Sequence, residues 1–161
     1  MNQKKIHPSK MGLIYGVGLG TVVVGFGIIR YKTGMILRDD HSLSYVYWVI
    51  FTLSMFYAVF QYRRLNPLSF SYKETMKIGA MAGLASGLLY TLYITILNNY
   101  FDTELVSKII EMHKEAGNST KVMKLNTTVR GLIYTTECMV FGIINSINST
   151  FLMKKLLFKS S

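Results

Sequence analysis

With 161 residues, half of them apolar, and a formal net charge of +10, the chain is long enough for one domain, residues 1–161, and too short for a second core. Its single cysteine, Cys138, excludes an intramolecular disulfide and a cysteine-rich metal site. The basic residues flank apolar runs and form no stripe of their own, so the charge reads as membrane topology and excludes nucleic acid as a partner.

Apart from one carboxylate, charges are missing from four long stretches. A bilayer imposes this segregation, because a spanning helix must show lipid about 20 apolar residues. The first stretch, 11–29, follows Lys4, Lys5 and Lys10. A signal peptide begins in the same way, but this run exceeds an ordinary signal core and offers no small-x-small cleavage site, so a retained span is predicted. The second, 44–61, has Tyr45, Tyr47 and Trp48 at one end and Tyr57 and Tyr62 toward the other, the placement that aromatic rings adopt at the two bilayer interfaces. The third is 78–97. The fourth, 131–153, is closed by Lys154 and Lys155. The expected fold class is therefore all-α, an integral membrane bundle of four transmembrane helices.

The longest connection is 98–130. Asp102 is placed to cap a helix with Glu104 in its first turn, Leu105, Ile109 and Met112 along one face, and Gly117 just past its end. Glu104 and Lys108 form an i,i+4 pair of favourable polarity. These signals predict a short amphipathic helix in the last loop, lying on the membrane surface or over the bundle, and its plainest role is to shield that end. Asn118, Asn126 and Asn148 open glycosylation sequons, a match that chance often produces.

Ten of the eighteen Lys and Arg residues fall in the N-terminal tail, the loop with Arg63, Arg64, Lys73 and Lys77, and the C-terminal tail with Lys154, Lys155 and Lys159. The other eight lie in longer loops that also hold Asp39, Asp40, Asp102, Glu104, Glu111 and Glu115. The positive-inside rule then puts both termini in the cytoplasm. The aromatic and basic segment with Arg63, Arg64, Phe70, Tyr72 and Lys73 would meet anionic headgroups, although plain topology signalling explains it as well.

Lipid gives helices no hydrophobic reason to associate, so close backbone approach must supply much of the attraction. Gly12, Gly16 and Gly20 in the first span, and Gly79, Gly83 and Gly87 in the third, form ridges at four-residue spacing. These spans are expected to meet each other, or one of them to meet a second copy or another membrane protein.

Glu137 is the single ionisable group inside a span, about 9 Å along the helix from Gly131. A charge at that depth costs roughly 2.5–3.5 kcal/mol, so the group is expected to be protonated or paired and to face protein. Tyr134, Glu137, Phe141, Asn145 and Asn148 fall within an arc of about 80° on a helix. Tyr90, Thr91 and Thr52 are candidate partners of the acid. The stripe reads either as a proton-linked or polar-ligand site or as interhelical glue. His7, His41 and His113 are scattered, without metal-ligand spacing. No GxSxG, P-loop or Rossmann fingerprint occurs, so neither an enzyme nor a cofactor is expected.

The block Leu68-Ser69-Phe70-Ser71-Tyr72-Lys73-Glu74 leads into the glycine-ridged span, Tyr100-Phe101-Asp102-Thr103-Glu104-Leu105 follows it, and paired lysines close the last span. In these features and in the order of its spans the chain resembles an uncharacterised bacterial inner-membrane family known only as a domain of unknown function. Thr103 stands where the family usually has proline. The resemblance implies a bacterial cytoplasmic membrane and no assigned activity.

Three functions follow. One is an accessory or structural subunit, with the lipid bilayer around it and a membrane-protein partner or second copy beside it. Another is a small transporter or lipid-linked carrier handler that uses Glu137. The third, a membrane enzyme, lacks a converging acid, base and nucleophile.

Overall fold

The structure, a computed structural model, describes residues 6–38, 40–115 and 127–158. Five helices and no strand occur among them: α1 (Pro8–Lys32), α2 (Ser42–Leu65), α3 (Tyr72–Ile96), α4 (Leu105–Glu115) and α5 (Thr127–Phe158). A 3-10 turn, Pro67–Ser69, precedes α3, and a π-helical turn, Leu97–Phe101, extends it. Gly117, Asn118 and Asn126 lie outside the described residues.

Local chemistry sets the helix ends. Pro8 opens α1, where a missing N–H costs nothing. Beyond α1, Gly34 takes φ 69°, a left-handed conformation that needs no Cβ. α2 stops before Asn66, which leaves the helical region (φ −135°, ψ 58°) because Pro67 follows it. Ser71 caps α3 by accepting the Glu74 N–H at 3.4 Å.

The long helices form a ring, with α1 beside α3, α3 beside α5, α5 beside α2, and α2 closing on α1. The glycine ridges do not face each other. A Cβ on Gly12 would run into the Ile78 carbonyl and one on Gly16 into Ala82, so the α1 ridge rides on the alanine face of α3. The α3 ridge turns the other way, toward α5: Gly79 meets Gly142, Gly83 meets Cys138, and Gly87 meets Thr135. α3 is thus gripped on two sides by backbone-close contacts, and both ridges are occupied within the chain. Hydroxyl pairs bound the α3–α5 seam, Thr91 Oγ1 to Thr135 Oγ1 at 3.0 Å and Thr150 Oγ1 to Thr75 Oγ1 at 2.8 Å.

α2 joins through rings instead. Trp48 meets Phe141 of α5 edge to face and Phe51 meets it at a tilt, with centroids 4.6 and 5.6 Å apart. Phe51 is fully buried.

Ile6, Asn66 and Met153 share one end of the ring: Asn66 Nδ2 donates to the Ile6 carbonyl at 3.4 Å, and Arg63 to that of Met153 at 3.2 Å. The start of α1 and the last turns of α5 therefore share one end of the bundle, and the turn from α1 to α2 lies at the far end.

Among the described residues three helices are long and apolar enough to cross a membrane: Pro8–Lys32, Ser42–Leu65 and Tyr72–Phe101. α5 is the longest, but Glu137, two asparagines and a row of hydroxyls dilute its apolar run. The amphipathic α4 buries its first residue, Leu105, and lines a cavity at the far end of the bundle with Leu105, Val106 and Ile109. Near the start of α4 the Asp102 carboxylate accepts from Tyr31 Oη (3.3 Å) and Lys108 Nζ (3.4 Å). Lys108 also reaches Glu104 at 3.5 Å.

Candidate functional site

Because α2 stands off on aromatic rings while the other long helices touch backbone to backbone, space remains at the far end. Two cavities of about 320 and 370 Å³ share Gly27, Arg30, Tyr90, Tyr134 and Glu137. The first opens between α1 and α2, where Ser44 and Trp48 join its wall. The second lies under α4, beside Tyr93 and Arg130. Together they form one vestibule.

Helix direction aims the charges. Side chains lean toward the N-terminus of their helix. Arg30, near the end of α1, therefore leans back into the bundle, whereas Glu137, on a helix running the opposite way, leans toward the far end. Arg30 makes one long hydrogen bond, to Ser44 Oγ at 3.4 Å, and its Nε is buried without a partner among the described residues. Glu137 is exposed at the mouth and makes no hydrogen bond or ion pair among the described residues. The Tyr93 hydroxyl is likewise buried and unpartnered among them. Gly27 leaves room for that ring, since a Cβ there would stand 2.6 Å from Tyr93 Cε1. Asp40 is a nearby acid. Its carboxyl accepts the Ser42 N–H at 2.9 Å, which holds it below the ordinary carboxylate range, with lesser help from Arg30 and His41.

The structure brings together Tyr90, Tyr134 and Glu137, with the two rings 4.5 Å apart. It does not bring Thr91 to them. One residue on from Tyr90, Thr91 faces the α5 seam and meets the Gly131 carbonyl at 2.8 Å. Asn145 bonds back to the Phe141 carbonyl at 2.9 Å, and Asn148 is exposed. Thr52 is occupied by the Trp48 carbonyl at 2.9 Å. The expected polar stripe thus ends at Glu137, whose side chain lies at a surface and not in the core.

Arg30, Arg130 and Tyr93 escape a reading of the sequence, which treats the two arginines as topology charges. A signal was present: Arg30 stands within the last turn of its helix, where the lean of the side chain returns it to the bundle. The small-residue row Gly131, Thr135, Cys138, Gly142 and Ser146 on α5 was also legible by spacing and is buried throughout.

A cation and an acid that line the same cavities as aromatic rings can hold a polar or zwitterionic molecule. No group of three His, Cys, Asp or Glu that could hold a metal occurs among the described residues.

Residues 10–155 match the family described as "Protein of unknown function (DUF4199)", and the chain belongs to it. Neither a curated protein nor a solved structure matches the chain.

Proposed function

We propose that this member of DUF4199 is a four-span protein of the bacterial cytoplasmic membrane that binds a small polar or amphiphilic molecule in its vestibule, working by binding and not by catalysis. The support for a fourth span is the seam between α3 and α5. From Thr75–Thr150 to Thr91–Thr135 the two helices lie side by side, so a bilayer that encloses one encloses the other. Several polar residues of α5 are tolerable there because Thr135, Ser146 and Thr150 are buried in the seam with α3 and the exposed Thr136 bonds back to the Leu132 carbonyl. The excess of basic residues on the segments near the chain termini favours a cytoplasmic location for that end, which opens the vestibule to the outside.

One observation carries the binding reading: Arg30 and Glu137 line the same cavities, and neither has an ion-pair partner among the described residues. Charges at membrane depth are costly enough that a ligand able to pair with them gains from their exposure. Both glycine ridges are occupied within the chain, so they lend no support to an accessory role.

The test is to purify the wild type and Arg30→Gln in mild detergent, extract bound small molecules with organic solvent and identify them by mass spectrometry. The wild type should retain a species that the variant loses. Identical extracts from two equally folded proteins would refute the reading.

A further inference from the structure

We infer that the vestibule takes the headgroup of a zwitterionic phospholipid and that one of its acyl chains lies along α5; this rests on the binding reading above and names its ligand. The chemistry of the walls has two poles. Arg30 presents a guanidinium with an unpartnered N–H, and the unpartnered Tyr93 hydroxyl belongs to the same cavity wall. Both can donate to a phosphate, and a guanidinium does so in the planar geometry that phosphate oxygens match. The other charge is Glu137, which shares its cavity with Tyr90, Tyr134 and Trp48. A carboxylate beside aromatic rings receives an ammonium through both its charge and the ring faces.

The other charges do not upset this balance. Asp40 stands near Arg30, but its carboxylate is taken by Ser42. Arg130 joins the cationic wall of the second cavity. A ligand carrying only negative charge would place a phosphate near Glu137 with no gain there, so the paired poles favour a zwitterion.

The second observation is independent of charge and separates a lipid from a soluble phosphate ester. A shallow groove of about 440 Å³ runs along α5 past Glu137 and Thr136. Ile133, Val140 and Ile144, all exposed, line it, with Phe141 beneath them. A water-soluble ligand has no use for a largely apolar track that passes the carboxylate. A diacyl lipid does, because its headgroup and chain must occupy adjoining polar and apolar sites. The depth agrees: Arg30 lies near the end of a span, where headgroups sit.

Trp48 is the only tryptophan and lines the first cavity, so its emission reports occupancy. The full chain in maltoside micelles is titrated with dihexanoyl phosphatidylethanolamine, dihexanoyl phosphatidylglycerol and free O-phosphoethanolamine. Saturable binding of phosphatidylethanolamine is expected, at least tenfold tighter than either other probe. Arg30→Gln should weaken it about tenfold, and Arg30→Lys less. Glu137→Gln should leave phosphatidylglycerol binding unchanged or stronger and erase the preference. Circular dichroism confirms that each variant is folded, and if Arg30→Gln fails to fold, Glu137→Gln decides alone. Equal binding of O-phosphoethanolamine and the lipid would overturn the lipid assignment while leaving the vestibule reading intact. Equal binding of the two lipids, unaltered by Glu137→Gln, would overturn the zwitterion assignment. If no probe shifts Trp48 in the wild type, both readings fall.

Discussion

Gly83→Ala isolates the force that joins α3 to α5. A Cβ built on Gly83 would stand 2.5 Å from the carbonyl carbon of Cys138 and 2.6 Å from the Cα of Met139. Ordinary contact begins near 3.4 Å, so the helices must part by about 1 Å. Overpacking costs about 1–3 kcal/mol, and the upper half of that range applies because the obstacle is backbone and cannot change rotamer. Alanine's better helix propensity returns about 1 kcal/mol, which leaves a net loss of about 1–2 kcal/mol. Gly25→Ala is the control: nothing lies within 4 Å of a Cβ there, so the propensity gain stands alone. The gap between the two variants should therefore be about 2–3 kcal/mol. It can be measured by unfolding in mixed micelles of maltoside and sodium dodecyl sulfate, followed by Trp48 emission and helicity. If Gly83→Ala proved as stable as Gly25→Ala, close backbone approach would not be what holds this seam.

Thr91→Val removes the hydroxyl that bridges α3 to Gly131 and Thr135. Interhelical hydrogen bonds within membranes average about 0.6 kcal/mol and reach about 1.7, so the same unfolding assay should show a loss inside that range. Outside the spans, Asp102 holds the Lys108 ammonium above its ordinary range, with smaller help from Glu104. Because this pKa is raised on folding, whatever the pair contributes is complete below the ordinary lysine value and fades as pH rises through the higher folded value. Asp102→Asn should move the Lys108 titration, read by NMR of its side chain, downward; an unmoved curve would contradict the pairing.

How much of this was legible in advance differs from element to element. The apolar runs 11–29, 44–61 and 78–97 lie inside α1, α2 and the extended α3, and each helix exceeds its run because helix ends are set by Pro8, Pro67 and Ser71 and not by hydropathy. The amphipathic spacing of Leu105 and Ile109 marked α4, which packs that face on the bundle. Tyr90, Tyr134 and Glu137, expected at similar depth, line one cavity. Thr91 does not join them, since depth along a helix says nothing about the angle around it. Asp102 does stand at the start of α4, where its backbone carbonyl accepts the Leu105 N–H. Its carboxylate accepts from Tyr31 and Lys108, which lie too far along the chain for local spacing to reveal.

What the sequence determined by itself is what each segment is: helical, apolar along most of its length, and able to approach a neighbour closely wherever glycines recur every four residues. Those properties are local, because hydrogen bonding within a helix and transfer to lipid need no other segment. Only the tertiary structure decided which neighbour each ridge would meet, sending Gly83 to Cys138 and Gly16 to Ala82, since a small residue permits close approach without naming a partner. It alone also set Arg30 and Glu137, far apart in the chain, on the walls of one cavity. That juxtaposition depends on the relative rotation and offset of α1 and α5, which packing against α3 settles.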